Sequence, residues 1–203
     1  MHSLACRSTA ATRVGISIIA AATIFLQLAT PPLASADATS SGNFSVSPDC
    51  RKWDAVTVRF SGPSADATGD SPNPFLDYRL QVAFTAPGGK RYNVPGFFDG
   101  DGNGGLRGNV WRVFFAPDET GRWTFEASFR KGTQVAISLE PGAGEATAFH
   151  GVKGSFEVAP TPADAPGYLK WGRLEYVGKF YLKFRDGPYW IKGGTDEPED
   201  FLA

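Results

Sequence analysis

One glycine-rich stretch carries oxygen-bearing side chains at a spacing that calcium sites use. The segment FFDGDGNGG, residues 97–105, has three such side chains at alternate positions: Asp99, Asp101 and Asn103. A calcium loop adds a glycine at its sixth position and a bidentate glutamate at its twelfth. Gly104 fits the sixth position, but the twelfth is Val110. Two interpretations stay open: an incomplete calcium site, or a turn between strands, which Asp-Gly and Asn-Gly favour.

Other residues with catalytic potential are few. His150 is the only histidine besides His2, and no G-x-S-x-G motif accompanies it, so a nucleophilic triad and a zinc site have little support. An acidic cluster lies near the C-terminus: Asp196, Glu197, Glu199 and Asp200. Paired carboxylates can hydrolyse sugars, but carboxylates adjacent in sequence are typical of a solvated turn or a helix N-terminus. These residues predict no catalytic centre and no cofactor.

The N-terminus has the pattern of a secretory signal peptide. Arg7 and Arg13 precede a mostly apolar run over residues 14–28, and Ala34-Ser35-Ala36 supplies small residues for cleavage. The run is too short to favour a bilayer span, which needs about 20 residues. We therefore expect a signal peptide over residues 1–36, a secreted or periplasmic protein, and no membrane contact after cleavage. The alternative is an N-terminal membrane anchor.

The composition of the chain after residue 36 excludes some classes of protein. Removal of Arg7 and Arg13 leaves 18 cations against 21 acids, a net charge of −3 over 167 residues. Such a chain lacks the positive charge that neutralises phosphates, so we expect no nucleic-acid partner. Cys50 is the only cysteine besides Cys6. An intrachain disulfide is excluded in the mature chain, and Cys50 is expected to be buried and inert.

Residues 49–158 predict an all-β domain. Several segments alternate apolar and polar residues with a period of two, which is typical of half-buried antiparallel strands. Their apolar faces comprise Val56, Val58 and Phe60; Tyr78, Leu80, Val82 and Phe84; Trp111, Val113 and Phe115; and Trp123, Phe125, Ala127 and Phe129. TQVAISL and GSFEV predict shorter strands. Seven or eight such strands favour an immunoglobulin-like antiparallel β-sandwich. Residues 37–48, small and polar, predict a flexible lead-in.

Three tryptophans allow two interpretations. Trp111 and Trp123 lie in phase with the apolar faces, and Trp53 precedes the first long strand. Each ring can bury on the order of 200 Å², so a place in the core is the simplest explanation. The alternative is a flat platform on which sugar rings stack. Burial of all three would remove that alternative, whereas exposure of two would favour it.

The C-terminal quarter has a different character. Residues 159–168, APTPADAPGY, contain three prolines and predict a stiff linker. After it, GRLEYVGKFYLKFRDGPYWIKGG predicts a hairpin with its turn at Asp186-Gly187-Pro188. This part of the chain, residues 169–203, is too small to bury a core alone.

Several stretches together resemble one family. They are CRKWDAVTVRFSGP, NPFLDYRLQVAFTAPGGKRYNVPGFFDGDG, WRVFFAPDETGRWTFEASFRKGTQVAISLEPGAG, GSFEVAPT and GRLEYVGKFYLKFRDGPYWIKGGTDEPEDFLA. They are similar to the N-terminal sandwich of the domain-of-unknown-function 5060 family. In such proteins this sandwich precedes a (β/α)₈ barrel that resembles glycoside hydrolases.

The resemblance implies a role for the last residues. GRLEYVGKFYLKF would be a strap between the two units, and residues 189–203 the first barrel strand with its βα loop. Barrel enzymes place their active sites at the C-terminal ends of strands, so Asp196 and Glu197 would lie at the active-site rim as substrate-binding residues. The chain would then be a fragment truncated before the barrel, and its open flank would be poorly packed.

Three functions follow as hypotheses. The first is a non-catalytic accessory domain of a secreted glycoside hydrolase, with the catalytic barrel as its intramolecular partner. The second is a carbohydrate-binding module with a polysaccharide partner. The third is a structural or adhesive extracellular sandwich with no associated chemistry.

Overall fold

A computed structural model describes residues 40–41, 43–178 and 180–191 of the 203-residue chain. The predicted signal peptide, residues 1–36, and the predicted substrate contacts Asp196 and Glu197 lie outside the described residues. Among the residues described, no helix is long and apolar enough to cross a bilayer.

Two antiparallel sheets form the main body. The first sheet has the order β1-β2-β3-β7-β6. Its strands are β1 (Ser40–Ser41), β2 (Phe44–Val46), β3 (Val56–Asp66), β6 (Phe97–Phe98) and β7 (Arg107–Phe115). The second sheet has the order β10-β8-β4-β5, and β9 also pairs with β8. Its strands are β4 (Tyr78–Thr85), β5 (Arg91–Pro95), β8 (Gly121–Lys131), β9 (Glu145–Ala146) and β10 (Val152–Val158).

The inner faces of the two sheets pack through aromatic rings. Phe84 of β4 stacks on Phe115 of β7 with ring centroids 4.4 Å apart. The rings of Trp111 and Phe129, one from each sheet, meet edge to face at 4.7 Å. Val58, Val82, Val113 and Trp123 are fully buried. The period-two pattern therefore predicted the inner faces of the long strands correctly, and the all-β sandwich is confirmed.

The predicted flexible lead-in, residues 37–48, contains a strand of the sandwich. Strand β2 pairs with β3, placing Phe44 opposite Phe60. The ring of Phe44 also meets Phe125 of the other sheet edge to face at 5.1 Å. The prediction was wrong for residues 44–46 because two buried apolar side chains, Phe44 and Val46, are enough to attach a short strand to the core.

The strand predicted for TQVAISL is a 3₁₀ helix, Val135–Ile137. Gln134 has a left-handed backbone, with φ 52°, which interrupts an extended chain before it can pair. The segment bonds to a loop: the Gln134 N–H donates to Asp77 Oδ1 (2.9 Å), and the Ala136 N–H donates to the Leu76 carbonyl (2.9 Å). Val135 is buried beneath it.

Arg79 breaks the polar-outside pattern of β4. It is buried although it alternates with the apolar residues. Its guanidinium donates to the carbonyl oxygens of Ser138 (3.0 Å), Glu140 (3.1 Å) and Pro141 (2.8 Å). Arg130 of β8, which lies opposite Arg79 in the strand register, donates to the Ala143 carbonyl (2.8 Å). Backbone carbonyls thus supply the acceptors that a buried guanidinium requires, and the loop over residues 138–144 is held without a strand.

A second, smaller sheet follows the proline-rich segment. Helix α1 (Gly167–Trp171) leads into β11 (Leu174–Tyr176), β12 (Leu182–Phe184) and β13 (Tyr189–Trp190). The three strands pair antiparallel in the order β11-β12-β13. The predicted hairpin with its turn at residues 186–188 is confirmed, and one further strand precedes it. We call β11–β13 the C-terminal sheet.

Candidate functional site

The acidic side chains of the glycine-rich loop form an ion pair and hydrogen bonds that stabilise the conformation of the loop. The Asp99 carboxylate forms an ion pair with Arg112 of β7. Asp101 Oδ1 accepts hydrogen bonds from the N–H groups of Asn103 (2.8 Å) and Gly105 (2.9 Å), and these bonds lower the pKa of Asp101. The described residues contain no group of three His, Cys, Asp or Glu side chains that could hold a metal ion. The geometry favours the turn interpretation over the calcium loop.

The close approach of backbone in this loop explains its glycines. A Cβ at Gly100 would lie 1.7 Å from the Gly105 carbonyl oxygen, and Gly100 has φ 56°. Gly102 and Gly104 also have positive φ. Such conformations cost a residue with a side chain about 1 kcal/mol or more. The glycine spacing that resembled a calcium loop is thus required by the connection from β6 to β7.

The remaining candidates for chemistry are engaged elsewhere. His150 Nδ1 accepts a hydrogen bond from the Phe129 N–H (3.3 Å). Cys50 is buried, as predicted, and its thiol donates to the Ser47 carbonyl (3.2 Å). Burial raises the pKa of Cys50, which disfavours the reactive thiolate.

All three tryptophans are buried. Trp53 is 8% exposed, Trp111 1% and Trp123 0%. The indole N–H groups of the latter two are bonded inside the sandwich: Trp111 to the Pro63 carbonyl (3.0 Å) and Trp123 to the Glu119 carbonyl (3.0 Å). None of the three presents a flat ring face to solvent, so the sugar platform built on them is excluded.

Trp53 joins the sandwich to the C-terminal sheet. Its backbone N–H donates to the Pro117 carbonyl (2.8 Å), and its indole N–H donates to Asp186 Oδ2 (2.8 Å). The same carboxylate oxygen pairs with Lys52 Nζ at 2.5 Å. Gly172 lies against the indole ring, where a Cβ would be 2.5 Å from Cε2. The C-terminal sheet is therefore attached to the sandwich at a defined point.

A second attachment centres on Asp118, whose side chain is 7% exposed. Its carboxylate accepts from the Tyr92 hydroxyl and from Lys90 Nζ (3.3 Å), and Arg173 Nη1 lies 3.5 Å away. Burial raises the pKa of Asp118, but these hydrogen bonds and the charges of Lys90 and Arg173 outweigh it and hold the pKa below its ordinary value. Arg173 immediately precedes β11, so this ion cluster connects the sandwich to the C-terminal sheet.

These attachments should weaken in acid. Burial also raises the pKa of Asp186. The contacts with Lys52 and Trp53 together have the larger effect, and the pKa of Asp186 lies below its ordinary value. A carboxyl whose pKa is lower in the folded state contributes stability above its unfolded pKa of about 3.9, and loses it as the pH falls through the folded pKa. We expect hydrogen-exchange protection of β11–β13 to be constant from about pH 5 to 8 and to fall below about pH 4. In Asp186→Asn the loss should be shallower; an identical profile would contradict the role of Asp186.

One face of the C-terminal sheet is only partly covered in the described part of the chain. By register, Leu174, Tyr176, Leu182, Phe184 and Trp190 share a face, which we call the open face. Tyr176 is 74% exposed, whereas the other four side chains are half-buried. Tyr168 packs against Phe184 with ring centroids 5.2 Å apart. Other exposed apolar side chains lie in this sheet or next to it: Leu169, Val177, Phe180, Tyr181, Tyr189 and Ile191. This concentration of apolar surface is the strongest candidate interface of the described residues.

The fold defines the class of protein: an immunoglobulin-like β-sandwich that carries a small additional sheet. Residues 49–130 match the family model described as domain of unknown function (DUF5060), so the resemblance predicted from the sequence is confirmed over this segment. The chain is also similar to the crystal structure of a putative glycoside hydrolase from Bacteroides vulgatus ATCC 8482, with 26% identity and a TM-score of 0.47. That likeness covers 70% of this chain and 21% of the other, so the chain spans about a fifth of its length. No curated protein matches the chain.

Proposed function

We propose that this protein is the non-catalytic N-terminal β-sandwich of a secreted glycoside hydrolase, and that it packs against and supports the catalytic barrel. The observation that carries the proposal is the cluster of exposed apolar side chains at the C-terminal sheet, which is attached to a sandwich whose own inner faces are buried. The resemblance of the sequence to the family supports the identity of the partner. Secretion through a signal peptide over residues 1–36 is part of the proposal.

The distribution of apolar surface supports an interface at the C-terminal sheet. Contiguous exposed apolar patches larger than a few hundred Å² are rare on monomeric proteins and mark interaction sites. Eight large apolar side chains between residues 168 and 191 are exposed, with Phe180 fully so and Ile191 at 83%. By contrast, the sandwich buries the apolar residues of both its inner faces. The sandwich is thus complete by itself, whereas the C-terminal sheet offers apolar surface to a partner.

The attachment of this sheet suits a support function. Trp53 contacts Gly172 and Asp186, and Asp118 contacts Arg173, so two neighbouring contacts hold the segment. A surface presented on a fixed element loses less conformational entropy on binding than one on a free tail. The sandwich would therefore position the strap, and the strap would contact the barrel. Asp196 and Glu197 would follow at the rim of the active site, with Asp196 the stronger candidate for a substrate contact.

The test begins with the DNA that follows codon 203, which should encode a (β/α)₈ barrel, in frame or after a frameshift. The barrel is then produced as a separate polypeptide, and its binding to residues 37–203 is measured by calorimetry. Tyr176→Ala should weaken binding at least tenfold, because a buried aromatic anchor typically contributes more than about 2 kcal/mol to an interface.

Phe114→Ala is the matched control for this measurement. Phe114 is an aromatic residue like Tyr176 and is 50% exposed, but it lies on the outer face of the first sheet. Its replacement should leave barrel binding unchanged. The proposal is wrong if no barrel is encoded, if the barrel does not bind, or if the two variants behave alike.

A further inference from the structure

The outer face of the second sheet contains a polar groove with a volume of about 480 Å³. That volume lies within the range of ligand sites, about 300–1,000 Å³. The floor of the groove consists of small side chains on β4, β8 and β10: Ala83, Thr85, Thr124 and Ser155. Arg91, Arg122, Glu126 and Lys153 line it with longer charged side chains. Small residues in the middle and long ones around them give the groove its depth.

The strand register aligns hydroxyl groups across this groove. Ser155 lies opposite Thr124, Thr124 opposite Thr85, and Thr85 opposite Arg91. Neighbouring strands are about 4.8 Å apart, so this row crosses four strands over roughly 14 Å. Three hydroxyl groups therefore follow one another along a line that ends at a guanidinium. Such a line offers alternating donors and acceptors to an extended ligand.

Two of the cations at the groove have no carboxylate partner among the described residues. Arg122 donates to Ser155 Oγ (3.1 Å) and forms no ion pair there, and Arg91 is exposed and likewise without an ion pair in this part of the chain. Lys153 and Glu126 pair with each other at 3.5 Å and are both exposed. Glu157 lies opposite Arg122 in the strand register but forms no ion pair with it, so both guanidinium groups can contact an anionic ligand.

The lining also argues against a neutral ligand held by stacking. Within the described part of the chain, Phe125 is the only aromatic residue that lines the groove, and it is 3% exposed. Without an exposed ring, affinity for a sugar must come from hydrogen bonds and charge. Guanidinium groups bind carboxylates through two parallel hydrogen bonds, and hydroxyl rows suit the hydroxyl groups of a sugar.

We propose that this groove binds an acidic oligosaccharide, with Arg91 and Arg122 contacting uronate carboxylates and the row Thr85, Thr124 and Ser155 contacting sugar hydroxyls. The anion-binding part of this inference rests on the groove alone. The choice of a saccharide over another anionic chain rests on the proposed function. The site is separate from the open face, since it lies on β4, β5, β8 and β10.

The test measures binding of a tri- to hexameric oligogalacturonate to residues 37–203 by NMR titration and calorimetry at low ionic strength. Chemical-shift changes should map to β4, β5, β8 and β10. Arg91→Gln and Arg122→Gln should each weaken binding about fivefold or more, corresponding to about 1 kcal/mol of a charge-assisted contact. Binding should also weaken when the salt concentration rises from about 20 to about 200 mM, since exposed charges are screened.

Arg59→Gln is the matched control, because Arg59 is an exposed arginine on the outer face of the first sheet and its replacement changes the net charge equally. It should bind the oligogalacturonate as the wild type does. Absence of binding, equal binding of a neutral galactan oligomer, equal binding of a polyglutamate peptide, or equal weakening by Arg59→Gln would each overturn the proposal. None of these results involves the barrel, so the test with Tyr176→Ala stays independent.

Discussion

Replacing Phe115 with alanine is expected to lower the free energy of unfolding by about 3–5 kcal/mol. Phe115 is the last residue of β7 and is 8% exposed. Its ring stacks on Phe84 at 4.4 Å and meets Trp123 at 5.0 Å. Removal of the ring would leave a cavity between the two sheets, which close-packed neighbours can fill only in part. Urea unfolding followed by tryptophan fluorescence measures the change as a lower midpoint at constant slope.

The adjacent residue gives a control of identical chemistry. Phe114 is 50% exposed and faces outward from the first sheet. Phe114→Ala should change the free energy of unfolding by about 1 kcal/mol or less, since most of its area is already in water. A one-residue slip of β7 would exchange the two faces. Equal effects of the two substitutions, or a larger effect at Phe114, would therefore contradict the register of this strand.

Replacing Trp53 with alanine is expected to release the C-terminal sheet while the sandwich remains folded. The indole fills the space against Gly172 and donates to Asp186. Truncation of a buried tryptophan costs about 3–5 kcal/mol, and the packing and hydrogen bond of this indole join the sandwich to the C-terminal sheet. Hydrogen exchange should show at least about a hundredfold loss of protection in β11–β13, with changes of less than about threefold in β3 and β7.

Trp53→Phe distinguishes the contribution of ring packing from that of the indole hydrogen bond. This variant keeps most of the apolar contact with Gly172 but cannot donate to the Asp186 carboxylate. A hydrogen bond to a charged group contributes about 1.5–3 kcal/mol, so the loss of protection in β11–β13 should be about ten- to a hundredfold and smaller than for Trp53→Ala. If both variants reduce protection equally in the sandwich and in the C-terminal sheet, Trp53 is a core residue of the sandwich and not a joint.

The core residues of the sandwich could be predicted from the sequence because the period-two alternation of a strand appears within a few consecutive residues. Val56, Val58 and Phe60 alternate with polar residues, and each faces inward as predicted. The same alternation placed Arg122 on a polar face. It could not show that Arg91 and Arg122 line one groove, because the pairing of β4 with both β5 and β8 joins residues far apart in sequence. The predicted functional residues Asp196 and Glu197 lie outside the described residues and stay predictions.

The departures from the predictions have a common cause. Arg79 follows the polar phase of β4 but is buried by loop carbonyls 61 residues away. Phe44 belongs to a segment too short and polar to predict a strand, yet it pairs with Phe60 and packs into the core. Asp99 has the spacing of a metal ligand, but Arg112 neutralises it. In each case a distant partner decides the local structure, and spacing along the chain carries no information about that partner.

The sequence by itself determined the all-β class, the inward faces of the long strands and the resemblance to a family. These properties depend on patterns repeated within a few residues. Only the tertiary structure decided that Trp53, Trp111 and Trp123 are all buried, that Trp53 and Asp118 attach the C-terminal sheet, and that apolar side chains are exposed around that sheet. Attachment and exposure depend on which surfaces meet, and Trp53 meets Asp186 across a separation of 133 residues. The local period of two thus predicts which face of a strand is apolar, whereas the contacts between distant segments depend on how the sheets assemble.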